Sequence, residues 1–404
     1  MSNVRNTMHM LTLASLYVIA TSLFTSNSVS ALHHILVFIP SIYFLIEAIK
    51  KDEWSLPWSW WALGALFDVC FFSVLVNTDI IENPVNSIFR AKYFLITLMM
   101  IYPLRALFKE YIQPKHIKHL LWLILISTSI ASISGLIALY TGFNPLKMKP
   151  SCHPERACGL YGMYMTYGYG IALFMVVNVG LWLKRKMFSQ YIPTWLITAS
   201  LAINGMGMIL SYARGAWIAF FIAVPFYFFK KHKKAFLLTT LGGIVISTLA
   251  ISFIPSINRM FLDRSGSNDQ RMAFWKASIK AFEERPILGY GYKNFEPHTK
   301  EIKSKFGLSY PEVAGHAHNN FLEHLASTGA IGFVVLLLFH WFWLKESYQR
   351  DDLVAFVSFP FVIAFFTSGM VQYTFGDGEN LFLIMGLFAL FHAVQPNIKS
   401  SVID

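Results

Sequence analysis

The chain has 404 residues, of which 55% are hydrophobic and only 14% charged, with a mean hydropathy of +0.50. A water-soluble domain carries about 25% charged residues, so too few are present here to coat a folded surface, and a soluble enzyme with one anchor is excluded. The formal charge of +11 does not by itself imply nucleic-acid binding, and no nucleic acid is expected as a partner.

Apolar stretches long enough to cross hydrocarbon, about 17–25 residues each, predict about twelve helices. In chain order they fall at 9–25, 31–49, 58–77, 88–108, 119–141, 159–183, 192–209, 212–229, 235–255, 326–344, 352–370 and 379–396. The seventh and eighth meet at Ile209-Leu210-Ser211-Tyr212-Ala213-Arg214-Gly215, which fits either a tight turn or one bent segment. The alternation of a barrel strand is absent, and an open sheet cannot satisfy its backbone in lipid. The expected fold is therefore an all-α integral membrane bundle surrounded by membrane lipids. The first helix is expected to remain uncleaved, although Arg5, an apolar stretch and Ser28-Val29-Ser30-Ala31 also read as a signal peptide.

Placing the N-terminus inside puts Arg5, Lys50, Lys51, Arg105, Lys109, Lys115, Lys118, Lys184–Lys186, Lys230, Lys231, Lys233, Lys234, Lys345, Arg350 and Lys399 in cytoplasmic segments. The short outside loops 26–30, 78–87 and 371–378 hold no Lys or Arg, and loop 142–158 holds three. This is a positive-inside bias, so both termini are expected in the cytoplasm. Cys152 and Cys158 stand in loop 142–158, where an oxidising compartment favours a local disulfide over free thiols or a zinc site with His153. That disulfide is expected to stiffen the loop without chemistry of its own.

One loop stands apart. Residues 257–325 are far longer than a usual helix connection and rich in cations, including Arg259, Arg264, Arg271 and Arg285. The expected organisation is a membrane bundle over 1–256 with helices one to nine, a loop domain over 257–325, and the last three helices over 326–404. Within the loop, Arg271–Phe282 predicts an amphipathic helix presenting Ala273, Phe274, Ala277, Ile279 and Phe282, ended by Pro286 and the glycines of Leu288-Gly289-Tyr290-Gly291.

Ionisable groups at membrane depth are functional candidates. The outside end collects Arg90, Lys92, Arg214, Arg271 and His318. Arginine forks bind phosphate oxygens bidentately and stay charged when desolvated, whereas Arg90, Lys92 and Arg214 could also simply snorkel to headgroups. His318 has the side chain best suited to proton transfer near neutrality, with His316 and Asn319 as possible supports. His316 and His318 lack further evident zinc ligands, and Asp377-Gly378-Glu379 alone is a weak metal motif, so no metal or cofactor is expected. Cations that grip phosphate beside a proton acceptor suggest transfer from a lipid-borne, phosphate-linked donor.

Four stretches carry a family resemblance: Arg271-Met272-Ala273-Phe274-Trp275, Arg285-Pro286-Ile287-Leu288-Gly289-Tyr290-Gly291, His316-Ala317-His318-Asn319-Asn320-Phe321-Leu322 and Thr328-Gly329-Ala330-Ile331-Gly332. Together with Ser211-Tyr212-Ala213-Arg214-Gly215-Ala216 they resemble the O-antigen ligase and polymerase superfamily, and the chain is most similar to the ligases. The resemblance implies a membrane-integral glycosyltransferase with a GT-C-like bundle and one large periplasmic loop in the bacterial inner membrane. It implies inverting, metal-independent transfer of a polysaccharide from undecaprenyl pyrophosphate to a lipid A core sugar hydroxyl. By position, His318 matches the general base, and Arg214 and Arg271 match the donor pyrophosphate contacts, with Lys92 and Arg90 as further basic positions. An O-antigen polymerase, a protein O-oligosaccharyltransferase and a polyprenyl-glycan transporter are the alternatives. Loop 142–158 is short, whereas polymerases often have two large outside loops. Neither paired intramembrane acids nor internal symmetry favours transport.

Overall fold

A computed structural model describes residues 3–25, 27–52, 56–262 and 265–394. Arg264 and Lys399, among the cations named above, lie outside the described residues. Helices α1 (Asn3–Ser22), α2 (Asn27–Lys50) and α3 (Trp58–Val76) come first, then short α4 (Pro84–Arg90) and α5 (Lys92–Glu110). Next are α6 (Pro114–Thr141), α7 (Tyr164–Leu183), α8 (Thr194–Leu210) and α9 (Arg214–Ala223), which a 3-10 turn extends over Val224–Tyr227. After α10 (Lys233–Phe253), α11 (Pro255–Leu262), α12 (Ser265–Glu284) and α13 (Phe295–Lys305) fill the large loop. The chain closes with α14 (Asn320–Gln349), α15 (Leu353–Gly369) and α16 (Gly378–Ala393). Among the described residues the sole sheet is a two-residue antiparallel pair, β1 (Phe143–Asn144) with β2 (Lys149–Pro150).

Local chemistry explains the boundaries. Pro84 and Pro114 open α4 and α6, where a missing backbone N–H costs nothing. The side chains of Asn83, Asn319 and Asp352 cap α4, α14 and α15. Gly142 ends α6 at φ 76°, a left-handed cap that suits glycine.

Among the described residues, seven candidate spans are long and apolar enough to cross a membrane, and four shorter apolar helical segments accompany them. This is the build of a multi-pass membrane protein. Its centre is α7, which is buried on nearly every side, whereas α10 has no buried residue. With no water to drive helices together in lipid, close packing and interhelical hydrogen bonds must hold them. Ser132 donates to Asn204 at 2.7 Å, Tyr167 to Ser132 at 2.8 Å and Asn178 to Ser200 at 2.9 Å, linking α6, α7 and α8.

Different segments gather at the two ends of the bundle. At one end Arg5 bridges Glu47 and Glu110, Ser59 meets Glu346 and His392, and Lys230 donates to the carbonyls of Ser347 and Arg350. Segments expected outside meet at the other. The Ala157 N–H reaches the Leu210 carbonyl at 2.8 Å, and the Asn319 amide reaches that of Met370 at 2.8 Å.

The large loop departs from expectation in detail. Its helix begins at Ser265 rather than near Arg271. Ala273, Phe274 and Ala277 are buried, but Ile279 is 45% exposed and Phe282 only half-buried. Ser278 and Ala281 take the inward positions instead, because α12 packs along α14 and α13 at a slightly rotated phase. Two glycines then let the loop close on α14. Gly289 (φ 60°) and Gly329 (φ 67°) are left-handed, and a Cβ would lie 2.5 Å from the Ala326 carbonyl oxygen and 2.3 Å from Ile287 backbone respectively. Tyr290 N–H donates to Ala326 O at 2.9 Å and Ala330 N–H to Pro286 O at 2.8 Å, locking the loop into the break in α14 at Gly329.

Candidate active site

Where α8 stops at Leu210, Tyr212 turns the chain at φ 52° and α9 starts on Arg214. The seventh and eighth expected spans are thus separate helices joined by a tight turn. Gly215 permits the closeness of this turn to α7, since a Cβ there would lie 2.0 Å from the Tyr169 hydroxyl. Arg214 is thereby set at the outer end of α9. Arg271 comes from α12 and His318 from the turn before α14. All three line one pocket of about 150 Å³, with Arg156, Tyr164, Tyr169, Tyr212, Gln270 and Phe274. Among its described lining residues none is acidic.

His318 is held on several sides. Its Nδ1 donates to the side-chain oxygen of buried Gln372 at 2.9 Å. That bond leaves Nε2 as the acceptor nitrogen. The backbone at His318 is left-handed, φ 48°, an uncommon state for a non-glycine residue that often marks a functional position. His316 stabilises this turn, because its Nδ1 accepts the His318 N–H at 3.0 Å. Asn319 accepts the N–H groups of Phe321 and Leu322 at 2.8 and 3.0 Å, and buried Glu323 accepts the Ala317 N–H at 2.7 Å. His316 and Asn319 therefore hold the turn that carries His318.

Electrostatics favour a neutral imidazole. Burial lowers the pKa of His318, the Gln372 hydrogen bond partly opposes this, and the Arg271 charge lowers it further. His316 is pushed down to about 3, chiefly by burial and then by His318, Lys293 and Arg271. A general base at His318 would be unprotonated at neutral pH, and its acid limb should lie below the ordinary histidine value near 6.5. We expect kcat/KM to hold as pH falls through 6.5 and to drop only at lower pH. An acid limb at or above 6.5 in a pH–rate profile would contradict this sign.

Not every expected residue joins the pocket. Arg90 is exposed at the end of α4, and Lys92 lies 3.9 Å from the Phe89 ring and 5.5 Å from that of Tyr93; neither lines it. Among the described residues no group of three or more His, Cys, Asp or Glu side chains is arranged to hold a metal ion. Asp377 lies in a buried setting that raises its pKa to about 7, opposed by nearby Lys293. Lys293 donates to the Gly376 carbonyl at 2.5 Å and stacks over Tyr373 at 4.6 Å. Cys152 and Cys158 are joined, with Cα atoms 6.4 Å apart. Sequence reasoning missed Arg156 and Gln372. The three cations of loop 142–158, which is expected outside against the positive-inside bias, were a signal for Arg156; nothing in sequence marked Gln372.

Residues 199–337, which carry Arg214, Arg271 and His318, match the family model described as O-antigen ligase. The segment is thus similar to the O-antigen ligase family over about a third of the chain. Three relatives extend the comparison. An uncharacterized Haemophilus influenzae protein is 26% identical over 67% of this chain and 68% of its own length. A ComP-specific O-oligosaccharyltransferase of Acinetobacter baylyi is 26% identical over 48% of this chain and 37% of its own. A candidate polysaccharide ligase of Rickettsia conorii is 25% identical over 33% of each. The chain thus spans about a third of the two relatives that carry a functional name. Arg156, Gln372, Arg90 and Lys92 all fall outside the O-antigen ligase segment.

Proposed function

We propose that this protein is a membrane-integral glycosyltransferase of the O-antigen ligase type. It transfers a polysaccharide from undecaprenyl pyrophosphate to a lipid A core sugar hydroxyl, with inversion. All twelve expected spans cross the bacterial inner membrane in a GT-C-like bundle. Both termini lie in the cytoplasm, and the 257–325 loop domain, with the pocket, faces the periplasm. The observation that carries the reading is one pocket shared by Arg214, Arg271 and His318. His318 Nε2 removes the proton of the attacking hydroxyl as its oxygen bonds to the anomeric carbon. The anomeric C–O bond breaks with its electron pair going to the pyrophosphate, where the arginines stabilise the added charge. Attack from the face opposite the leaving group inverts the centre. Arg90 and Lys92, outside this pocket, serve the donor at longer range, at the lipid boundary.

The cation clamp takes the place of a divalent ion. Saturating EDTA is therefore expected to leave the initial rate within about twofold of the untreated enzyme. Loss of turnover on chelation, with recovery on adding magnesium or manganese, would contradict this and direct attention to Asp377 and Glu379. The Acinetobacter relative's name favours one second reading, a protein acceptor. A competition assay offering lipid A core and a protein acceptor together separates the two, and glycan on the core alone is the expected result.

A further inference from the structure

The disulfide loop reaches the site. Arg156 lies between Cys152 and Cys158 and lines the same pocket as Arg214, Arg271 and His318. Three constraints hold it. The Cys152–Cys158 bond closes the loop around it, the neighbouring Ala157 N–H is tied to Leu210 O at the end of α8, and its guanidinium carbon lies 4.2 Å from the Tyr164 ring centroid. A cation–π contact uses the face of the guanidinium and leaves its in-plane N–H donors for a ligand. The loop's return is fixed as well. Asn144 donates to the Gly159 carbonyl at 2.9 Å and Tyr161 to the Leu23 carbonyl at 2.7 Å.

We propose that Arg156 is a third guanidinium contact for the donor pyrophosphate, delivered to the pocket by the Cys152–Cys158 loop. The claim rests on the lipid-linked donor of the proposed function. Three guanidinium groups converging on one pocket suit an anion of two or three charges better than a neutral sugar. The disulfide, expected from sequence to be inert, then has an indirect role in donor binding, because opening it frees the segment that carries Arg156.

Titration of inorganic pyrophosphate into the purified full-length protein in detergent tests this without requiring turnover. Arg156→Ala should raise the Kd by about tenfold or more, and Arg156→Lys by less, since an ammonium lacks the fork. Arg156→Gln serves as the folding control, keeping side-chain bulk without charge, and should match the alanine variant. Reductant, or the pair Cys152→Ser with Cys158→Ser, should weaken binding in the wild-type background by a smaller factor and have no further effect on Arg156→Ala. Wild-type affinity in folded Arg156→Ala or Arg156→Gln would overturn the contact. A loss on substitution with no effect of reduction would overturn delivery by the disulfide loop. No pyrophosphate binding by the wild-type protein would overturn this inference and the donor reading together. Binding as expected, with no glycan transfer to any acceptor, would sink the proposed function and leave Arg156 as an anion contact.

Discussion

His318→Ala is expected to lower glycan transfer by roughly a hundredfold to ten-thousandfold, the range for loss of a general base, with membrane abundance near wild type. His318 is half-buried on a turn facing the pocket, so truncating it opens no cavity in the bundle core. Its backbone sits at φ 48°, where alanine is less at ease than histidine. His318→Asn is therefore the paired control, because asparagine tolerates this conformation and brings no base. Both variants should be equally inactive. The measurement is the initial rate normalised to inserted protein. Wild-type turnover by either variant would refute the assignment and turn attention to His316. Gln372→Ala offers a graded companion, since it removes the acceptor that selects the Nε2 lone pair without removing the base itself.

Arg214 and Arg271 give the second large effect. If each grips pyrophosphate through two parallel N–H bonds, lysine cannot replace it, because an ammonium is a point charge without the planar fork. Arg→Lys at either position should lose most activity and Arg→Ala nearly all of it. The double substitution should cost less than the sum of the single losses, since both groups serve one leaving group. A snorkelling arginine predicts the opposite, because there only position and charge matter. Initial rates for the lysine variants at saturating donor decide it, and near wild-type rates for both would end the clamp account.

The helices were legible because hydrocarbon thickness sets a length that apolar runs must meet. The expected spans 58–77 and 352–370 correspond closely to Trp58–Val76 and Leu353–Gly369. Span 326–344 was too short, since Asn319 caps a helix that runs on through the break at Gly329. The site was legible in part. Arg214, Arg271 and His318 do share a pocket, but Arg90 and Lys92, equally basic and expected at the same end, lie elsewhere. Hydropathy and charge tell which end of a bundle a loop occupies. They say nothing about which loops adjoin around its circumference. That is why Arg156 and Gln372, supplied by loops more than two hundred residues apart in sequence, emerged only with the packing. The phase of α12 was missed for a related reason. A weakly amphipathic helix takes its facing from its neighbours, and here α13 and α14 turn Ser278 inward and Ile279 out.

The most direct test is reconstitution of the purified protein in liposomes with an undecaprenyl-pyrophosphate-linked glycan. Three acceptors would be offered separately: a lipid A core, a second lipid-linked repeat and a protein. Transfer to the lipid A core, with release of undecaprenyl pyrophosphate and loss of both in His318→Ala, is the predicted result. Elongation of the lipid-linked repeat, or glycosylation of the protein, with none on the core would contradict it.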